Sequence, residues 1–298
     1  MAETTRSIPD IQRRDQAELP RGPFPWVKVL SYTALIIGML IALLPFVWMI
    51  NWSLMGLSEV VQGRFIPSEL HFENYVQAWQ EGNLQQFTWN SVRITAIIIV
   101  GRLLFCIPAA YAFARMRFVG RNVIFALMLS TLMIPDIVTL IPNFLTVTWI
   151  SRLSQNIFGP SGIWINNWPA LTIPFMASAF SIFLLRQFFA QIPQDLWDAA
   201  RIDGAGHVAF LLRVVIPLSK APIMTVVTFA FIGAWNMLIW PLMVVPSDPT
   251  WRPIAHGLAQ FTLENNTGYF HLQMAGSVIT ILPVLALYFV AQKQFTEG

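Results

Sequence analysis

Two ionisable side chains, Arg102 and Asp136, lie inside long apolar stretches of the sequence. If those stretches cross a membrane, a charge at the bilayer centre costs about 2.5–3.5 kcal/mol, so each side chain must face protein or water. Two interpretations stay open: the residues line or gate a path for a solute, or they form a structural ion pair, with each other or with another subunit. Pro135 and Pro142 lie on either side of Asp136 and interrupt helical hydrogen bonding, which suits either a helix that bends between two states or a fixed kink.

An amide side chain lies among aromatic rings at Trp235, Asn236 and Trp240. Aromatic faces with hydrogen-bonding groups beside them are what a sugar requires of its binding site. Aromatic residues in membrane spans also serve in packing or as anchors at the membrane interface. The sequence therefore leaves both a sugar contact and a packing role open for these three residues.

The sequence lacks the residue sets that catalysis would need. Its lysines are Lys28, Lys220 and Lys293, and none follows a glycine, so there is no phosphate-binding GxxxxGK loop. The segment at residues 159–162 (GPSG) superficially matches the GxSG of intramembrane serine proteases, but its proline and glycines are explained by a turn. No HExxH pair for a metal is present. We therefore expect a chain that is not an enzyme and binds no cofactor, and energy from ATP would come from another chain.

The composition is that of a membrane protein. Of the 298 residues, 56% are hydrophobic and only 11% are charged, whereas about a quarter of the residues in soluble domains are charged. The net charge of +3 does not indicate nucleic acid as a partner, because the basic residues lie between apolar runs, as membrane topology requires. The single cysteine, Cys106, lies in an apolar run and is interpreted as a small buried hydrophobic residue.

Six apolar runs predict an all-α polytopic membrane protein that is surrounded by lipid, since a spanning helix needs about 20 residues. We expect a cytoplasmic, partly disordered N-terminal tail over residues 1–25, a six-span domain over residues 26–293 and a short cytoplasmic C-terminal tail over residues 294–298. The runs cover residues 26–50, 91–114, 123–146, 168–190, 219–245 and 276–292.

The distribution of basic residues predicts the orientation of these spans. With both termini inside, the cytoplasmic side holds most of the lysines and arginines, so the positive-inside rule favours this orientation. It places residues 192–222, between the fourth and fifth spans, in the cytoplasm, and it leaves long outer loops over residues 51–88 and 247–273. The basic residues on the outer side are then Arg64, Arg93, Arg152 and Arg252.

Residues 192–222 form the longest charge-bearing segment of the apolar second half. Pro193 suits the start of a helix, and Asp195 and Asp198 suit the positive end of the helix dipole. Asp203 and Gly204 are typical of a helix end. One face of this helix would carry mostly small side chains and would fit into a groove of another protein. The residues that share this face are Leu196, Ala199, Ala200 and Asp203.

The spacing in this segment resembles the EAA loop of inner-membrane permease subunits of binding-protein-dependent ABC importers. The matching residues are Asp198-Ala199-Ala200 and Asp203-Gly204-Ala205, followed by Pro217 and Pro222. Within that family the chain is most similar to the carbohydrate branch, the maltose-type second membrane subunit. Further stretches similar to the family are residues 71–75 (HFENY), 110–115 (AYAFAR), 133–135 (MIP), 141–142 (IP), 183–189 (FLLRQFF), 235–236 (WN) and 240–242 (WPL).

The resemblance implies a subunit of the prokaryotic inner membrane that works with other chains. The implied partners are a homologous permease subunit, two ATP-binding subunits that use ATP and Mg²⁺, and an extracytoplasmic solute-binding protein. The outer loop over residues 247–273 would reach towards that binding protein, or it would merely connect two spans. The residues implied in docking an ATP-binding subunit are Asp198, Ala199, Ala200, Asp203, Gly204 and Ala205.

The expected function is that of a permease subunit in an ATP-driven importer of a sugar or oligosaccharide, in which closure of the ATPase drives alternating access. The alternative is a secondary transporter driven by an ion gradient, which the composition also allows. Such a transporter would have no need of the pattern between residues 198 and 222. The residues expected along the substrate pathway are Arg102, Asp136, Trp235, Asn236 and Trp240.

Overall fold

All long elements in the described part of the chain are helices, which confirms the predicted all-α class. A computed structural model describes residues 25–159, 164–246, 249–263 and 269–296. The predicted N-terminal tail before Pro25, residues 160–162 of the GxSG-like segment and residues 297–298 of the predicted C-terminal tail lie outside these ranges. The helices are α1 (Pro25–Ser53), α2 (Leu57–Val61), α3 (Glu73–Glu81), α4 (Leu84–Arg115), α5 (Arg121–Ser130), α6 (Asp136–Phe158), α7 (Trp168–Thr172), α8 (Ala179–Gln191), α9 (Gln194–Ile202), α10 (His207–Phe210), α11 (Ile216–Leu218), α12 (Lys220–Trp235), α13 (Ile239–Val244), α14 (Ile254–Leu263) and α15 (Phe270–Thr296).

The chain divides into two units, Met1–Trp48 and Met49–Gly298. Among the described residues, the helices α1, α4, α6 and α15 are each long and apolar enough to cross a membrane alone. Two further spans consist of bent helix pairs. The pair α7 and α8 is bent by 41°, and α10–α11 meets α12 at 82°. Counting each bent pair as one span gives up to 6 spans, which agrees with the predicted number.

The third predicted run, residues 123–146, is wrong in its bounds because the chain breaks at Ile134 and Pro135. Both residues have extended backbones, with ψ of 119° and 137°. A residue before proline is driven out of the helical region by the proline ring, and proline itself donates no hydrogen bond. The short apolar helix α5 therefore ends before the break, and α6 is the membrane-spanning helix. Asp136 is the first residue of α6 and does not lie in mid-helix.

Both long segments that the sequence predicts as outer loops are largely helical. Residues 51–88 contain α2, α3 and the start of α4, and residues 247–273 contain α14 and the start of α15. Apolar side chains of α3, α14 and α15 form a cluster of Ala78, Phe261, Leu272 and Ala275. Burial of this cluster stabilises helices in segments that the sequence predicts only as connections between spans.

Helix α4 lies at the centre of the helix packing in the second unit, which covers residues 49–298. It packs against α8, α12 and α14. Leu84 and Phe87 at its start, Ile94 and Ile98 in the middle and Tyr111 near its end belong to three separate core clusters. The helix itself is therefore held in place by contacts with several parts of the chain.

Three glycines bring the start of α4, α14 and α15 into close contact; we call Gly82, Gly257 and Gly276 the glycine junction. A Cβ atom on Gly257 would lie 2.7 Å from Cδ2 of Phe87 and 2.8 Å from the backbone oxygen of Gly82. A Cβ on Gly276 would lie 2.7 Å from Leu258. Hydrogen bonds from Asn90 Nδ2 to Arg252 O and from Ile254 N to Ser91 Oγ hold the chain before α14 on α4.

Substitution of Gly257 by valine is expected to destabilise the protein by about 1–3 kcal/mol, because the contacted backbone of Gly82 cannot move aside as a flexible side chain could. Thermal unfolding of the purified protein in detergent measures the effect. Gly233→Val is the matched control, since a Cβ at Gly233 meets no atom within 4 Å. Equal midpoints for the two variants would contradict the close packing at the glycine junction.

Candidate functional site

A cavity of about 780 Å³ lies among α4, α6, the break between α7 and α8, and the break after α12. Four of the predicted pathway residues line it: Arg102, Asp136, Asn236 and Trp240. Trp235 does not. It lines a second cavity of about 360 Å³ between α12, α14 and α15, to which Asn236 also contributes.

Arg102 is bound to a backbone oxygen and not to Asp136. Its Nε and Nη2 donate to Phe175 O at 3.2 and 2.9 Å. Phe175 ends the 3₁₀ turn at the bend between α7 and α8, where the carbonyl groups lack helical partners. The break thus supplies the acceptor that a charge within the membrane needs. The direct ion pair of Arg102 with Asp136, one of the two interpretations of the sequence, is not formed in this structure.

Asp136 begins a stripe of polar side chains on α6. Thr139 and Asn143 follow it at i+3 and i+7, on the same face of the helix. All three line the large cavity, as does Ser178 at the bend before α8. Thr139, Asn143 and Ser178 are not among the pathway residues predicted from the sequence, although the spacing of Thr139 and Asn143 from Asp136 is a usable signal. Asp136 and Asn143 are exposed in this chain alone.

The two tryptophans of the predicted sugar contact are held by packing. Trp240 is buried, donates its Nε1–H to Ala170 O at 2.9 Å and meets the Phe175 ring edge-on at 5.7 Å. Trp235 is also buried and donates to Thr280 O at 3.1 Å. Asn236 differs because it is exposed, and its Nδ2 donates to Ile232 O at 3.0 Å. In this region, therefore, the amide of Asn236 is the polar side chain on the cavity wall.

The predicted helix in the segment over residues 192–222 is α9, and its start and end agree with the sequence signals. Pro193 is the N-cap, and the helix ends at Ile202 with Asp203 as C-cap. Gly204 follows with φ of +79°, which favours glycine. Its N–H donates to Arg201 O at 3.0 Å and that of Ala205 to Ala200 O at 2.8 Å. This is a Schellman motif, so the carbonyl groups at the end of α9 are satisfied within the segment.

The exposed face of α9 differs in part from the prediction. Asp198, Ala199, Asp203 and Gly204 are exposed, whereas Ala200 and Ala205 are half-buried. Ala200 packs on the core cluster below α9 together with Trp197, which lies one turn before it. Because Trp197 anchors the helix, Ala200 turns inward. Ile202 and Val208 are instead exposed, by 88% and 71%.

Comparison with known proteins gives the family. Residues 106–296 match the family described as "Binding-protein-dependent transport system inner membrane component". The diacetylchitobiose uptake system permease protein NgcG of Streptomyces coelicolor is 30% identical over 270 residues, which cover 89% of this chain and 85% of that protein. The sn-glycerol-3-phosphate transport system permease protein UgpE of Escherichia coli is 30% identical over 283 residues, or 92% and 96% of the two chains.

A solved structure is similar over nearly the same length. It is a crystal structure of a bacterial ABC transporter involved in the import of the acidic polysaccharide alginate, and one chain matches with a TM-score of 0.77 and 25% identity over 90% of this chain and 96% of that chain. These matches confirm the family resemblance read from the sequence. The chain belongs to the family of inner-membrane components of binding-protein-dependent transport systems, and it is a multi-pass membrane permease subunit.

Proposed function

We propose that this permease imports a sugar or oligosaccharide and that its cavity forms part of the path. The named relatives take up diacetylchitobiose and sn-glycerol-3-phosphate, and the solved transporter imports alginate. All of these solutes carry several hydroxyl groups or their derivatives. The side chains of Asn143, Asn236, Thr139 and Ser178 on the cavity wall can both donate and accept hydrogen bonds, as such solutes require.

A homologous permease subunit would close the open side of this cavity. Asp136 and Asn143 are exposed on α6, a helix that is apolar enough to span the membrane. Exposure of a carboxylate and an amide to lipid is unfavourable, so this stripe must face protein or a water-filled space. A second permease opposite α6 supplies both, and the path then runs between the two chains.

The observation that carries the proposal is the exposed end of α9. Asp198, Ala199, Asp203 and Gly204 form a small projecting surface, which the Schellman motif fixes and which lies between two bent spans. In this proposal one ATP-binding subunit docks there and a second docks on the partner permease. The ATP-binding subunits hold ATP and Mg²⁺, and this chain has no ATPase site of its own.

The proposed mechanism is mechanical. Closure of the two ATP-binding subunits on ATP displaces α9, and α8 and α10–α12 tilt because they are joined to its ends. The cavity then opens outward to receive solute from an extracytoplasmic binding protein, and hydrolysis reverses the movement. Both termini of the chain are cytoplasmic in this arrangement, on the same side as α9, as the positive-inside rule favours.

The direct test is to tag this chain, extract it from its native membrane in mild detergent and identify the proteins that co-purify. We expect a second permease and an ATP-binding subunit, and ATP hydrolysis by the purified assembly. The binding protein that stimulates this hydrolysis is then screened for sugar ligands. A chain that purifies alone, and that moves solute in vesicles with an ion gradient and no ATP, would contradict the proposal.

A further inference from the structure

One arginine at the end of α4 reaches both α8 and α9. Arg115 donates from Nε to Phe189 O at 3.0 Å, from Nη2 to Ile192 O, and from Nη1 to Gln194 Oε1 at 3.2 Å. Phe189 is in the last turn of α8, Ile192 lies in the linker, and Gln194 is the first residue of α9. A cation suits the carbonyl groups at a helix C-terminus. A single planar guanidinium therefore joins three consecutive pieces of the chain to α4.

A second connection lies one turn earlier on the same face of α4. The hydroxyl group of Tyr111 is 2.8 Å from Nδ1 of His207. The His207 ring stacks on Trp197 of α9, with 4.4 Å between ring centroids and 17° between planes. Phe210 meets the Trp197 ring edge-on at 5.0 Å and is fully buried. Tyr111 thus holds the middle of α9 through His207, while Arg115 holds its start.

We propose that Arg115 and Tyr111 are positioning residues that make α4 move together with α9, so that α4 transmits the movement of the docked ATP-binding subunit to the cavity. This inference rests on the proposed docking at α9. Chain connectivity alone would pass a displacement of α9 to α8 and α10–α12, because these flank it in the sequence. Helix α4 follows these helices through its packing on α8 and α12. The side chains of Arg115 and Tyr111 add hydrogen bonds that tie α4 to α9 itself, at Gln194 and, through His207, at Trp197.

The consequence for the cavity follows because α4 is one continuous helix from Arg102 to Arg115, through Pro108. Arg102 on the cavity wall lies about 20 Å from Arg115 along the same helix, at about 1.5 Å per residue. Arg102 is itself bound to Phe175 at the bend between α7 and α8. A displacement of the cytoplasmic end of α4 is therefore passed to the cavity wall and to this bend.

The test uses the co-purified complex with a reporter thiol at Gly233→Cys. Gly233 lines the large cavity, and a Cβ there meets no atom within 4 Å, so the reporter is tolerated. The rate of labelling by N-ethylmaleimide is measured without nucleotide and with ATP plus vanadate. The chain without the reporter gives the background, because its own thiol, Cys106, is buried. In the reporter parent, we expect nucleotide to change the labelling rate several-fold.

In Arg115→Gln we expect the ratio of the two labelling rates to fall to near one while the ATP-binding subunit still co-purifies. Arg115→Lys keeps the positive charge but not the planar set of guanidinium N–H donors, and it should give an intermediate ratio of labelling rates. Tyr111→Phe removes one oxygen atom and should lower the ratio without loss of packing. Arg121→Gln is the matched control and should keep the parent ratio, since the hydrogen bonds of the Arg121 side chain go to Met116 O and Asn122 Oδ1 and not to α8 or α9.

The outcomes separate the linkage from the docking on which it rests. If Arg115→Gln and Tyr111→Phe both keep the parent's ratio of labelling rates while the ATP-binding subunit stays attached, the proposed connection between α4 and α9 is overturned and the docking is not. Absence of an ATP-binding subunit from the parent complex would overturn the docking at α9, and the linkage with it. If Arg115→Gln does not accumulate in the membrane, Tyr111→Phe decides the question, and an unchanged ratio in that variant overturns the role of Tyr111–His207.

Discussion

The variants Asp198→Lys and Gly204→Trp are expected to abolish solute uptake while the chain still accumulates in the membrane. Asp198 is exposed on α9 and Gly204 is exposed just after its end, so neither position lies in the core of this chain. A charge reversal or a bulky ring at the centre of a docking surface typically weakens binding by at least about 2 kcal/mol, which is roughly a thirtyfold loss of affinity. In the proposed mechanism, loss of the docked ATP-binding subunit stops transport.

The geometry of Gly204 makes this variant informative. Its φ of +79° lies in the left-handed region, where most other residues cost about 1–2 kcal/mol, so part of the effect of a substitution is local strain. Gly204→Asn separates the two contributions, because asparagine tolerates this conformation and adds little bulk. Gly63→Trp is a second control: Gly63 has φ of +67° and equally open surroundings, between α2 and α3 and away from α9.

Three quantities are measured for each variant: the amount of chain in the membrane, the amount of ATP-binding subunit that co-purifies, and uptake by cells that depend on this permease for growth on a sugar. Asp198→Lys and Gly204→Trp should both accumulate in the membrane, but they should lose the co-purifying ATP-binding subunit and the uptake. The controls Gly63→Trp and Gly204→Asn should keep most of the membrane accumulation, the co-purification and the uptake. Normal uptake in both Asp198→Lys and Gly204→Trp would contradict docking at α9.

The start and end of α9 were predictable because their causes are local. Proline before the helix, aspartates in its first turns and glycine after it act within a few residues of the positions that they determine. The Schellman hydrogen bonds of Gly204 and Ala205 likewise close within the segment. The number of spans was predictable for a related reason, since a membrane of fixed thickness requires apolar runs of about 20 residues.

The partners of the charged residue within the second span were not predictable, because they depend on contacts between distant parts of the chain. The acceptor of Arg102 is a backbone oxygen at Phe175, and any residue type at that position would supply one. The burial of Trp240 depends similarly on Ala170 and Phe175. The division of the third run at Pro135 did have a local signal, but continuous hydrophobicity across it masked the break.

The double variant Arg102→Asp with Asp136→Arg, which exchanges the two charges, is expected to restore neither the stability nor the uptake lost in the single variants. Arg102→Asp removes two hydrogen bonds of a charged group to Phe175 O, each worth about 1.5–3 kcal/mol, and places a carboxylate against that carbonyl oxygen. Asp136→Arg changes the exposed stripe on α6, which belongs to a different part of the cavity wall. Since the two side chains do not contact each other, their effects on stability should add to within about 0.3–0.5 kcal/mol.

The double-mutant cycle is measured by thermal unfolding of the purified chain and by uptake in cells. Arg102→Lys is the control, since it keeps the charge and one donor towards Phe175, and it should be the mildest change at this position. Rescue of uptake by the double variant without rescue of thermal stability would mean that Arg102 leaves Phe175 and pairs with Asp136 in another state of the transport cycle. Rescue of both would contradict the contact of Arg102 with Phe175. Additive losses in both would agree with the contact of Arg102 with Phe175 at the bend between α7 and α8, and would show that Asp136 acts separately.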